Sequence, residues 1–79
     1  TVLRGHVSKV TKLAFQHRGD LIISCDAVGL VLIRHPRNPN IRVEGVSESP
    51  VCQLAWSPDD EYVLLGTEKG EIMVWETPF

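Results

Sequence analysis

VTKLAFQHRGDLIISCDAVGLVLIR, residues 10–34, and VCQLAWSPDDEYVLLGTEKGEIMVW, residues 51–75, superpose without a gap at an offset of 41 residues. Val10 meets Val51, Leu13 meets Leu54, Phe15 meets Trp56, Ile22 meets Val63 and Ile33 meets Val74. Only 4 of the 25 pairs are identical, so the repeat lives in the apolar pattern and in the coincidence of Gly29 with Gly70. A fixed period of this length marks an array of supersecondary units. Each unit reads as short antiparallel strands: an apolar run around Leu13 or Leu54, a polar turn, a second run at 21–25 or 62–65, and a third at 30–33 or 71–75. Asp26–Gly29 and Thr67–Gly70 have the composition of tight hairpins, with a glycine free to take positive φ. Helical readings fail, because glycine or proline interrupts every candidate stretch within about ten residues.

Outside the repeat, His35–Asn40 holds two prolines and two asparagines and reads as a turn-rich linker. Ile41-Arg42-Val43 then alternates apolar and polar, which predicts a fourth strand.

The joint spacing resembles the WD40 repeat. Gly5 and His6 match its Gly-His pair, Trp56-Ser57-Pro58-Asp59 its turn, Gly29 and Gly70 its hairpin glycine, and Trp75-Glu76 its closing Trp-Asp. The resemblance implies an all-β fold, a WD40-type β-propeller segment of about two four-stranded antiparallel blades, the second incomplete. Residues 1–4 then supply the outer strand of a preceding blade, 9–43 a complete blade, and 50–76 three strands of the next. The departures are Arg34 in place of the first closing tryptophan, Val46-Ser47 in place of the second Gly-His, and Val28 and Lys69 in place of the hairpin aspartate. In the family that histidine and aspartate join a buried network with a serine or threonine and the tryptophan. Neither unit is expected to assemble it in full; His6 is left with Ser24 as a possible partner and no carboxylate from Val28.

Composition narrows the function classes. Of 79 residues, 43% are hydrophobic and 23% charged, which suits a folded chain. The longest apolar runs are four residues, so no segment reads as a membrane span. Residues 1–40 carry +4 and residues 41–79 carry −6, a polarity that could steer partners or order neighbouring modules. Cys25 and Cys52 read as small buried residues rather than a disulfide framework, which favours an intracellular, cytoplasmic or nuclear setting.

No catalytic, cofactor-binding or metal constellation is present in the pattern, and no cofactor is implied. His6, His17 and His35 have no compact metal-ligand spacing. Asp59-Asp60-Glu61 lacks the spread of a calcium loop and reads as a solvated turn. Arg4, Lys9 and Lys12 form one basic group and Arg34, His35 and Arg37 another, placed toward opposite ends of the blade. Phe15 and Trp56 fall at core positions, so stacking aromatics are lacking and nucleic acid is not expected to bind through this segment.

Two blades expose two apolar faces, so the neighbours are either further blades of a longer chain or copies that assemble into a ring. In the family, partners often dock on the loops entering the first strand and on the hairpin between the second and third. The corresponding positions are Lys9, Thr11 and Ala27, and Pro50, Cys52 and Glu68. The expected function is a non-catalytic protein or peptide-binding scaffold in a multiprotein assembly. The alternatives are the propeller of a larger enzyme or substrate-recognition subunit, or a component of a nucleic-acid-associated assembly.

Overall fold

Alternation of apolar and polar residues, broken by turn residues at regular intervals, produces seven strands in a computed structural model that describes residues 2–77. They are β1 (Val10–Phe15), β2 (Ile22–Asp26), β3 (Leu30–His35), β4 (Asn38–Val46), β5 (Val51–Trp56), β6 (Tyr62–Thr67) and β7 (Ile72–Glu76). Strands β1–β4 form one antiparallel sheet and β5–β7 a second, each in sequence order. The described residues contain no helix. Thr1, Pro78 and Phe79 lie outside the described residues.

The repeat is visible down to its irregularities. Val10 pairs with Asp26 but Lys12 with Cys25, and Val51 pairs with Thr67 but Gln53 with Gly66. Thr11 and Cys52 are therefore equivalent bulge residues. The irregular phase of Val10 in the sequence is the mark of this bulge.

Blade-on-blade packing makes the core. Ile23 stands opposite Ile33, and Cys25 opposite Val31, on one face of the first sheet. That face packs on Val51, Trp56, Val63 and Leu65 of the second, with Met73 and Trp75 at the margin. Ile23, Val31, Val63 and Leu65 have no exposed surface, and each side chain so buried stabilises by about 1.5–3 kcal/mol. Leu64, Ile72 and Val74, the repeat counterparts of Ile23, Val31 and Ile33, remain exposed on the far face of the second sheet.

Polar hooks bind the blades edge to edge. Trp56 Nε1–H donates to the Ala14 carbonyl at 3.0 Å, and His17 Nε2 donates to the Trp56 carbonyl at 3.2 Å. Asp60 accepts the backbone N–H groups of His17 (2.8 Å), Arg18 (2.7 Å) and Gly19 (3.3 Å). It does so from the left-handed region, φ 61°, which aspartate tolerates better than most residues. Burial opposes its charge, but the three N–H donors and nearby His17 outweigh burial and hold its carboxyl below the ordinary range.

Several expectations need correcting. The linker at His35–Asn40 is a tight turn over Pro36-Arg37, and the fourth strand runs from Asn38 to Val46 rather than over 41–43 alone. Cys52 is exposed, unlike Cys25, and both thiols are free. Phe15 is 57% exposed; the buried aromatic of the pair is Trp56 alone. Asp60 belongs to an inter-blade clasp, so the acidic turn is not merely solvated.

Candidate partner-binding rim

The start of β1, the β2–β3 hairpin, the β4–β5 loop, the start of β5 and the β6–β7 hairpin all lie at one end of the strands. Their backbone is closed by hydrogen bonds that repeat between the blades. Ala27 N–H donates to the Lys9 carbonyl at 3.0 Å, and Glu68 N–H donates to the Pro50 carbonyl at 3.1 Å. Thr11 Oγ1 reaches the Cys25 carbonyl at 3.4 Å, and Cys52 Sγ the Gly66 carbonyl at 3.4 Å. The structure thus brings Lys9, Thr11 and Ala27 together as one cluster, and Pro50, Cys52 and Glu68 as its repeat counterpart. Five of the six are exposed and Pro50 is half-buried. Because β1 and β5 lie side by side, both clusters belong to one continuous rim.

The hairpins are held rigidly. Gly29 has φ 95°, and a Cβ there would collide with the Ser47 carbonyl oxygen, which accepts no substitution without backbone movement. Ser47 N–H in turn donates to the Gly29 carbonyl at 2.8 Å, tying the β4–β5 loop to the hairpin. Gly70, φ 86°, has open space around it, so only its backbone angle requires glycine.

Beneath the first cluster lies a buried polar network that the sequence reading placed only in part. His6 Nδ1 donates to Asp26 Oδ2 at 2.8 Å, and its Nε2 lies 2.7 Å from Ser24 Oγ. The carboxylate missing at Val28 is supplied by Asp26, which overturns the expectation that His6 has no acid partner. Asp26 Oδ1 also accepts the N–H groups of Val28 (3.0 Å) and Leu30 (3.1 Å), so one side chain closes the hairpin and anchors His6. Burial would raise its pKa, but His6 and the two N–H donors prevail and its carboxyl stays below the ordinary range. Thr67 is the counterpart in the second blade, where its Oγ1 accepts Glu71 N–H at 3.2 Å. In the sequence Asp26 is marked only as the repeat equivalent of Thr67 at the mouth of the hairpin, which does not reveal its contact with His6.

The remaining motif residues are structural. Gly5, φ 136°, passes over Leu32, where an added Cβ would lie 3.3 Å from the leucine Cδ1. Trp75 lays its ring against Gly45; a Cβ on Gly45 would fall 3.1 Å from Cζ2 and closer still to Cη2. Ser24, His6 and Asp26 are linked in the order hydroxyl, imidazole, carboxylate, but Ser24 is 5% and Asp26 1% exposed and the His6 side chain is equally covered, so the trio sits inside the sheet and closes the hairpin. No cluster of three or more metal-ligating side chains occurs among the described residues.

Against known proteins, the chain is 28% identical over 74 residues to telomerase protein component 1 of Rattus norvegicus, and to that of Mus musculus to the same extent. These alignments cover 94% of this chain but only 3% of the length of each relative. No solved structure matches the chain at a significant level. The family model of the WD domain, G-beta repeat, matches residues 1–27 and 39–76. With two stacked antiparallel sheets related by a 41-residue repeat and a Gly-His pair anchored at the hairpin, the chain belongs to the WD40 family.

Proposed function

We propose that this chain is a non-catalytic protein-interaction module that receives a protein or peptide on the rim formed by Lys9, Thr11, Ala27, Pro50, Cys52 and Glu68. The observation that carries the reading is the repeated rim itself: exposed side chains mounted on backbone whose hydrogen bonds are already made. Such a surface presents contacts at little ordering cost. WD40 repeats generally serve as interaction scaffolds. The relatives bear the name of a component of telomerase, which supports placing this chain within a multiprotein assembly. The free thiols of Cys25 and Cys52 support an intracellular setting.

Lys9 and Glu68 are exposed charges of opposite sign on the two clusters. Rim charges govern encounter and pairing without supporting a core. Lys9→Glu and Glu68→Lys in the full-length protein should each weaken co-purification of its partners while leaving the unfolding temperature within about 2 °C, since exposed substitutions stay near 0.5 kcal/mol. Undiminished partner recovery in both variants would remove this rim from the binding surface.

A further inference from the structure

At the opposite end of the first blade, a cavity of about 210 Å³ opens between residues 2–4 and the paired ends of β3 and β4. Its volume is several times the roughly 30 Å³ share of one water. Arg4, Arg34, His35 and Arg42 line it, with apolar walls from Leu3 and Ile41, and no acidic residue is among its lining. Arg4 therefore joins the group of Arg34 and His35, which corrects the expectation that these lie at opposite ends of the blade.

Arg34 is the decisive residue. It is 9% exposed, and its Nη1 donates to the Arg4 carbonyl. Its Nε is buried and has no hydrogen-bond partner, a state costly for any polar group and more so for one on a cation. Directly across the ladder stands Arg42, and like charges directly opposite are destabilising. Burial first, and then the charge of Arg42, push the Arg34 guanidinium below its ordinary basicity. Existing counter-charges are few. Glu44 pairs with Arg42 at 2.6 Å, and the exposed Asp20 lies 3.6 Å from His35 Nε2.

We infer that this cavity is an oxyanion site, built to take a phosphate group between Arg34 and Arg42 with Arg4 at its lip. Asp20 is 79% exposed, touches only His35 and lies outside the lining, so three guanidinium groups less the Glu44 carboxylate leave two positive charges. A phosphate carrying about 1.5–2 negative charges matches them, whereas a carboxylate neutralises only one. The planar, multi-donor guanidinium is suited to this geometry. The apolar walls lower the local dielectric and strengthen the pairing.

The test is calorimetric titration of the full-length protein with inorganic phosphate, O-phosphoserine and acetate at constant ionic strength. Arg42→Gln removes an exposed cation without touching the core, and Arg34→Gln keeps a donor for the Arg4 carbonyl; thermal melts check that both fold. Saturable phosphate binding that weakens about tenfold or more in each variant, with acetate at least tenfold weaker than phosphate, is expected. O-phosphoserine binding as tightly as phosphate assigns the site to a phosphate monoester, and weaker binding assigns it to the free ion. A phosphate isotherm unchanged in Arg42→Gln, or acetate equal to phosphate, overturns the assignment. If Arg34→Gln fails to fold, Arg42→Gln decides alone.

Discussion

Replacing Asp26 by alanine should open the first blade locally at its β2–β3 hairpin. Asp26 is 1% exposed and accepts three hydrogen bonds, from His6 Nδ1, Val28 N–H and Leu30 N–H. The His6 side chain is itself 5% exposed, so water cannot readily replace the lost acceptor. Leaving the buried His6 donor without its acceptor costs about 1–3 kcal/mol, and the two hairpin donors add to it. The hairpin N–H groups are nearer solvent and recover part of their share, which places the expected loss at about 3–4 kcal/mol. Asp26→Asn is a sharper probe. Its carbonyl oxygen can still accept from Val28 and Leu30, and only the His6 bond is compromised, for about 1–1.5 kcal/mol. Hydrogen exchange read by mass spectrometry over peptides from β2 and β3 measures the local opening in a protein of any size. The alanine variant should exchange roughly 10²–10³ times faster, and the asparagine variant roughly ten times faster. Acid should act in the same direction. A carboxyl whose folded pKa is depressed contributes its stability above the ordinary aspartate range and loses it as pH falls through the lower, folded value. Asp26→Asn should flatten that acid-side loss. An alanine variant within tenfold of the native rate, or an asparagine variant as fast as alanine, would refute the bridging role.

Asp60→Ala should speed exchange across the 16–20 turn while leaving the β2–β3 hairpin protected, because its carboxylate holds three N–H groups of the neighbouring blade. The Asp60 carboxyl is likewise depressed, so the clasp should loosen as pH drops below the ordinary aspartate range and be insensitive to pH in Asp60→Asn. Gly45→Ala should cost about 1–3 kcal/mol by driving a methyl group into the Trp75 ring, measured by urea denaturation. Trp75→Leu added to it should recover part of the loss, and purely additive losses would count against the collision.

The strands were legible because period-2 alternation was repeated at a fixed offset, and two weak patterns at equal spacing reinforce one another. β4 was obscured by Pro36 and Pro39. Proline interrupts a central strand, yet among the described residues β4 is an edge strand with β3 as its one ladder partner, and an edge accommodates a missing N–H. Phe15 misled because its counterpart Trp56 is buried. Trp56 is covered by β1 of the blade before it, through Ala14, whereas Phe15 has no such neighbour among the described residues. Among site residues, the rim positions came from the resemblance to the WD40 repeat, and the 41-residue offset supplied each with its counterpart in the other blade. Asp26 did not follow, because its contact with His6 spans 20 residues and depends on how the N-terminal segment crosses the sheet.

That crossing explains why the first blade tolerates an arginine where the second closes on tryptophan. At the 41-residue offset Arg34 matches Trp75, and Arg4 matches Gly45. In the second blade the indole lies against a residue without a Cβ. In the first, the guanidinium reaches past a bulkier neighbour to its carbonyl. Each side chain is thus fitted to the residue 30 positions before it. Arg34→Trp, although it restores the more typical residue of the family, should destabilise by about 1–3 kcal/mol through collision with Arg4. Arg4→Gly, harmless to packing by itself, should relieve that collision in the double variant. A coupling of about 1 kcal/mol or more in the double-mutant cycle is expected. Additive effects, or a stable Arg34→Trp single variant, would show that the two positions do not share one packing constraint.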